Sequence, residues 1–203
     1  MGDGLKSAVT GSSGRIQETT TAPATPAEVM PTEWKSGFSA GQNIRRVMWM
    51  FARTFLFRPS FHNWYAWRRL LLRLFGAKIG PGVRVRPSAN IEMPWNLDLA
   101  EGVVVGDYAI LYSLGKITIG PRSVISQYAH LCAGTHDYQD PNFPVLTPPI
   151  TVGVGAWVAA AAFIAPGVAI GDRAVVAARS AVLKDVPPDQ VVGGNPAKFM
   201  KMR

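Results

Sequence analysis

From residue 77 onward, aliphatic side chains return every six positions. Val152, Val158, Ile164, Ile170, Val176 and Val182 follow one another at that interval, as do Ile79, Val85, Ile91, Leu97 and Val103. Two shifts of phase then give Val105, Leu111 and Ile117, followed by Ile119, Ile125 and Leu131. Four positions beyond many of these stands a small residue: Ala89, Ala109, Ser123, Ala129, Ala156, Ala162, Ala174 and Ser180. Such a period matches neither a lone helix, at ~3.6, nor a lone strand, at ~2. It predicts short strands joined by corners, three sides to a triangular coil, with aliphatics inside and small residues at the crowded corners. Gly follows the aliphatic directly in Ile79-Gly80, Ile119-Gly120, Val152-Gly153 and Ile170-Gly171, where it is expected to relax the backbone limits of the corner. Stacked coils would pair as parallel sheets at ~4.8 Å. About fifteen hexads make roughly five coils of a hexapeptide solenoid, whose two ends need caps.

Upstream the period changes to that of a helix. Ile44, Val47, Met48, Phe51, Ala52 and Phe55 predict one amphipathic helix, ended at Arg58-Pro59. Trp64, Trp67, Leu71 and Leu74 predict a second, capped at Gly76 and flanked by Arg68, Arg69 and Arg73. Residues 1–40 lack apolar periodicity, are rich in Ser, Thr, Gly and Pro, and read as a disordered tail. The expected organisation is a tail at 1–40, a basic aromatic helical segment at 41–76, a β-helix domain at 77–186 and a C-terminal cap at 187–203.

Charge sharpens this division. The chain carries 21 basic and 13 acidic residues. Residues 41–76 hold seven Arg and no acid, so nearly the whole excess lies there, together with nine of the 20 aromatics. Localised charge among aromatics fits an anionic membrane surface better than nucleic acid. A helical cap on the main domain fits the same pattern equally well. Neither helix reaches the ~20 apolar residues needed to span a bilayer. The uncharged run 150–171 is interrupted by Gly153, Gly155, Pro166, Gly167 and Gly171 and keeps the period of six, so it is not a span either. The single Cys132 excludes a disulfide scaffold. With no secretory signal pattern at the start, the expected location is cytoplasmic, with the basic helices at the inner face of the membrane.

The repeat breaks at 133–150, AGTHDYQDPNFPVLTPPI, where Pro141, Pro144, Pro148 and Pro149 make an extended, stiff loop. In a solenoid such an insertion lies on one face, often the binding face. The hexads, the Thr135-His136 that opens this loop, GAWVAAAAFIAPGVAIGD, SAVLKDVPPDQVV and GGNPAK together resemble the hexapeptide-repeat acyltransferases of left-handed parallel β-helix fold. Within that family, RRLLLRLFGAKIG and THDYQDPNF most resemble the acetyltransferases of colanic acid biosynthesis.

The resemblance implies transfer of acetyl from acetyl-CoA to a sugar hydroxyl of an exopolysaccharide or its lipid-linked precursor, without a metal. His136 matches the catalytic base, a role that suits a neutral imidazole held by a partner on its other nitrogen; the sequence does not name that partner. Trp157 matches a residue near the pantetheine arm and acceptor pocket. Ala160 and Ala178 match positions whose backbone bonds the pantetheine amides. Leu183 and Lys184 match a Thr-Lys pair near the adenine, with Leu183 lacking the hydroxyl. Lys198 and Lys201 match basic residues near the 3′-phosphate. Gly106 stands where the sugar enzymes carry an acceptor-binding Asn, and Leu114 where they carry an acid. Asp107, Tyr112, Asp137 and Tyr138 are therefore the candidates for acceptor contacts. The resemblance also implies a homotrimer, with the site in the cleft between neighbouring coils. Two other readings are weighed beside it: a catalytically silent scaffold that binds a membrane or partner, and a zinc enzyme of the γ-type carbonic anhydrase class. The latter needs three His ligands, whereas the repeat region carries only His130 and His136.

Overall fold

The computed structural model describes residues 37–203. The expected disordered tail at 1–40 falls almost wholly outside the described residues. The chain begins with helix α1 (Ala40–Ala52), which runs into a π-helical turn (Arg53–Phe57), and continues with α2 (Tyr65–Leu74). A capping box at Ser39 and Gln42 starts α1.

The hexads form a triangular prism of short parallel strands. Face A holds β1 (Lys78–Ile79), β4 (Leu97–Leu99), β7 (Ile117–Ile119), β12 (Ile150–Val152) and β15 (Ala169–Ile170). Face B holds β2 (Arg84–Val85), β5 (Val104–Val105), β8 (Val124–Ile125), β13 (Trp157–Val158), β16 (Val175–Val176) and β18 (Gln190–Gly194), with β19 (Ala197–Met202) antiparallel at its edge. Face C holds β3 (Asn90–Ile91), β6 (Ile110–Tyr112), β9 (His130–Cys132), β14 (Phe163–Ile164) and β17 (Ala181–Val182). The inward aliphatics are buried almost completely, and so are all eight of the small corner residues.

Two details of the repeat differ from expectation. Leu99, rather than Val103, stands in register between Ile79 and Ile119. Leu97 is an extra inward residue on a lengthened strand, and Val103 is buried four positions after Leu99, where a small corner residue is expected. The apparent phase shifts are two-residue insertions at the corner joining face C to face A. The glycines after the aliphatics also serve a different purpose. Gly80, Gly120, Gly153 and Gly171 have no left-handed φ. A Cβ on any of them would meet the next coil's atoms at 2.4–2.8 Å, so glycine is needed for close passage of that coil.

The helical segment caps the first coil by an unexpected device. Within the prism, N–H groups of each coil donate to carbonyls of the next, as Gly80, Arg84, Arg86 and Glu92 do to Leu99, Val103, Val105 and Leu111. The corresponding carbonyls of the first coil, on Ile79, Val83, Val85 and Ile91, have no preceding coil. Arg73 donates to Ile79 O, Arg69 to Val83 O, Arg68 to Val85 O and the Trp49 indole to Ile91 O. Fully buried Arg68 also donates to Ser60 Oγ, Phe61 O and His62 O; burial lowers its pKa.

This turns most of each expected helix face outward, although Ala52 and Leu71 of the predicted stripes do face inward. Trp49, Ala52, Phe57, Arg68, Leu71 and Leu72 face inward, because the coil end requires donors. The predicted stripe Ile44, Val47, Met48, Phe51 and Phe55 faces outward, as do Trp64 and Leu74. The arginines of α1 also turn toward the protein: Arg45 lies over the Trp95 ring and Arg46 pairs with Glu92 at 2.8 Å.

Candidate active site

Three insertions interrupt the coils, all at the corner from face C to face A. The first contains the 3₁₀ turn Pro94–Asn96, the second spans 113–116 and the third is the long loop after Cys132. Each braces the next. Asn96 Nδ2 donates to the carbonyls of Ser113 and Leu114, and Ser113 Oγ bonds both N and O of Met93. Gly115 donates to Ala133 O at 2.6 Å and lies so near Thr147 O that no side chain fits. Leu114, at the position of the family's acid, packs against Gly134.

The long loop leaves this corner as β10 (Thr135–His136) and returns as antiparallel β11 (Val145–Leu146), which places His136 opposite Val145. His136 Nδ1 lies 2.8 Å from the Phe143 carbonyl. A carbonyl only accepts, so Nδ1 carries the proton and Nε2 presents a lone pair. The Phe143 ring stacks on the imidazole at 4.3 Å and 14°. Phe143 has a left-handed backbone (φ 48°) between Asn142 and Pro144, which turns its carbonyl back toward the histidine. Asp137 N donates to Pro144 O, and the side chains of Asp137 and Asp140 accept from Gln139 N and Asn142 N. The half-exposed ring is thus fixed in tautomer and orientation, as a general base requires.

The other expected site residues divide between two sides of the prism. Trp157 points out from face B, 46% exposed, with Nε1 donating to Ser126 Oγ. Ala160 and Ala178 stack one coil apart at the corner from face B to face C, where Ala160 O accepts from Arg179 N. Both corner residues are small, and neither N–H has a partner among the described residues. Lys198 and Lys201 are exposed on β19, beside face B. Exposed Leu183 and Lys184 follow β17, at the same corner as the His136 loop. Among the acceptor candidates, Asp107 lies at the face B to face C corner, accepting from Ser88 Oγ and facing Arg86 at 3.3 Å. Tyr112 points out from face C near Glu92 and Cys132, and burial raises its pKa. Tyr138 is 77% exposed on the loop, and Asp137 is engaged in its turn. One chain therefore places His136, Tyr112, Asp137, Tyr138 and Lys184 around one edge, with Trp157, Asp107, Lys198 and Lys201 around another.

Phe143 and Ser126, which hold His136 and Trp157, are absent from the sequence expectations. A left-handed Phe and a hydroxyl one coil away leave no pattern to read. Among the described residues no group of three or more His, Cys, Asp or Glu is placed to hold a metal ion. None of their helices is long and apolar enough to cross a membrane.

A triangular hexapeptide solenoid that extrudes one oriented histidine from a single corner defines a class, the left-handed β-helix acetyltransferases. Known proteins agree. The chain is 47% identical over 167 residues to an Escherichia coli protein that carries the name colanic acid biosynthesis acetyltransferase WcaF, covering 82% of this chain and 92% of that one. It is 28% identical to the galactoside O-acetyltransferase of Escherichia coli over 66% of this chain and 68% of the relative. A hexapeptide-repeat acetyltransferase of Vibrio cholerae, solved with acetyl coenzyme A, superposes with a TM-score of 0.76 at 25% identity, covering 87% of this chain and 96% of the other. No family model matches. The chain belongs to the WcaF family of hexapeptide-repeat acetyltransferases.

Proposed function

We propose that this protein transfers acetyl from acetyl-CoA to a sugar hydroxyl of an exopolysaccharide or its precursor, with His136 as the general base. The observation that carries the reading is the His136 ring held through Nδ1 by the Phe143 carbonyl, which leaves its Nε2 to act as the base. Acetyl-CoA supplies a thioester. His136 Nε2 takes the proton of the acceptor hydroxyl as its oxygen attacks the acetyl carbon; the C–S bond then breaks and the imidazolium returns that proton to the departing sulfur. The bare corner N–H groups of Ala160 and Ala178 suit the amides of the pantetheine arm, and Lys198 and Lys201 suit a phosphate as point charges.

The family resemblance implies a homotrimer, and the division of these residues between two edges supports a site shared between subunits. Neighbouring prisms packed side by side would bring the His136 edge of one subunit to the Trp157 face of the next. The outward apolar stripe of α1 supports a peripheral contact with a membrane, where a lipid-linked acceptor would reside; Phe51→Glu should then lower co-sedimentation with phosphatidylglycerol vesicles.

The deciding experiment measures acetyl-CoA binding and slow hydrolysis by the purified protein beside His136→Ala. The expected result is equal binding with turnover reduced ~10²–10⁴-fold. Absence of binding up to millimolar acetyl-CoA would sink the reading.

A further inference from the structure

Beside the His136 edge, α1 and face C enclose a cleft of about 370 Å³ whose lining includes Asn43, Arg46, Val47, Met50, Arg53 and Glu92. Glu92, Tyr112 and Cys132 stand at successive coils: Glu92 N donates to Leu111 O, and Tyr112 pairs in register with Cys132. Two coil spacings, ~10 Å, therefore separate the cleft from the strand that leads into the His136 loop.

Its charges do not balance. Arg46 has a carboxylate partner in Glu92 at 2.8 Å. Arg53 has none. Its Nη1 donates to the neutral amide oxygen of Asn90, and its buried Nε finds no acceptor among the described residues. Burial first, and then the neighbouring Arg58, lower its pKa, and the Glu92 carboxylate offsets them only in part. A partly buried guanidinium without a counter-ion is costly, and its planar fork is suited to a carboxylate or phosphate. Glu92 and the Asn43 amide suit hydroxyl groups, while Val47 and Met50 offer apolar walls to a sugar ring.

We propose that this cleft selects an acceptor saccharide bearing an acidic group, a phosphate ester or a carboxylate, which completes the coordination of Arg53 beside the Arg46–Glu92 pair. This rests on the acetyltransferase reading above and adds the substrate class. A bare inorganic anion would fit less well, because Glu92 shares the cleft.

The test compares kcat/KM with acetyl-CoA for three probes: glucose, glucuronic acid and glucose 1-phosphate. At least one acidic sugar should exceed glucose by about tenfold or more, and the better of the two identifies the anion. Arg53→Gln should bring that ratio to within about twofold, whereas Arg53→Lys, which keeps charge without the fork, should fall between. Equal rates for glucose and both acids in the wild type would overturn the proposal. So would a uniform loss on all three probes in Arg53→Gln, which marks a purely structural residue. If no probe is acetylated, calorimetric titration of the same sugars into wild type decides, and equal affinity overturns the proposal. His136-dependent acetyl-CoA hydrolysis is scored separately, so failure of the acetyltransferase reading is not confused with failure of this one.

Discussion

Two corners of the same prism follow opposite rules. At the turn from face A to face B, six successive coils place Gly82, Gly102, Arg122, Gly155, Arg173 and Asp189 in the left-handed region. From Gly102 onward, each donates its N–H to the coil before. The turn from face C to face A instead carries three insertions of different length. Face A nevertheless keeps its register across the longest: Ile117, Thr118 and Ile119 still pair with Ile150, Thr151 and Val152. Stacking in this solenoid depends on nearest-neighbour pairing, and the first corner maintains that pairing coil after coil. The second is relieved of the task, so chain can be added there without cost to the register. The oriented histidine and the α1 cleft both lie along it.

The sharpest way to break this contrast is one substitution at each corner. A Cβ at Gly171 would lie 2.4 Å from Pro188 N and 2.8 Å from Pro187 C, both backbone atoms that cannot turn away. Gly171→Ala should cost about 3 kcal/mol in denaturant unfolding. His136→Ala, at the other corner, should cost only about 1 kcal/mol, for the stack and hydrogen bond to Phe143, while abolishing most turnover. Equal stability losses would show that both corners carry the stacking.

The first coil tests the same rule where no neighbour exists. Arg68 supplies donors to Val85 O, Phe61 O, His62 O and Ser60 Oγ. Arg68→Leu leaves those acceptors to water or to nothing and should cost about 2 kcal/mol. Hydrogen exchange should localise the loss: the Arg84 amide, between the first two coils, should lose protection well before the Val158 amide does. Uniform loss along the prism would mean that the ends are not independent of the middle.

A smaller effect is expected within the active corner itself. Phe143 already has φ 48°, so Phe143→Gly keeps the backbone and its carbonyl while deleting the ring stacked on His136. Loss of one such stack, worth ~1 kcal/mol, should lower kcat by roughly fivefold with acetyl-CoA affinity unchanged. An unaltered kcat would assign the orientation of His136 to the hydrogen bond alone.

The regular corners are legible in the sequence because every coil repeats the same demand. Ile164, Ile170, Val176 and Val182 each solve one packing problem, and Ala162, Ala174 and Ser180 another. The insertions at 94–96 and 113–116 are only two residues beyond the hexad, so they mimic a change of phase and move Val103 into a role it does not have. Left-handed Tyr108, Arg122, Tyr128 and Arg179 carry no glycine to announce them. The helices mislead for a deeper reason: periodicity assumes that the apolar face is the buried one. Here the neighbour is a row of unpaired carbonyls, and arginine and tryptophan donors face inward instead. In the site, His136 stands out through its Thr and its proline-rich loop. Its partner Phe143 depends on where β11 returns, which only the fold decides.

The last contrast sets a face against a corner through two histidines six residues apart. His130 points out from face C between Tyr112 and Phe163, whose rings meet it edge-on at 6.3 and 5.4 Å. Its buried Nε2 has no hydrogen-bond partner among the described residues, and burial lowers its pKa below the usual 6.5. In the unfolded chain the ring takes up a proton near that usual value, while the folded ring resists. Below ~6.5 the unfolded state therefore binds more protons, and stability falls as pH drops from there toward the folded-state pKa; above ~6.5 the contribution is complete. His130→Phe preserves an edge-to-face aromatic on the face and removes the titration. Between pH 7 and pH 5 the wild-type denaturation midpoint should fall more steeply than that of His130→Phe, with the two curves parallel above pH 7. Parallel curves throughout would mean that His130 gains its proton equally in both states, and that the face between Tyr112 and Phe163 is open enough for water to reach the ring.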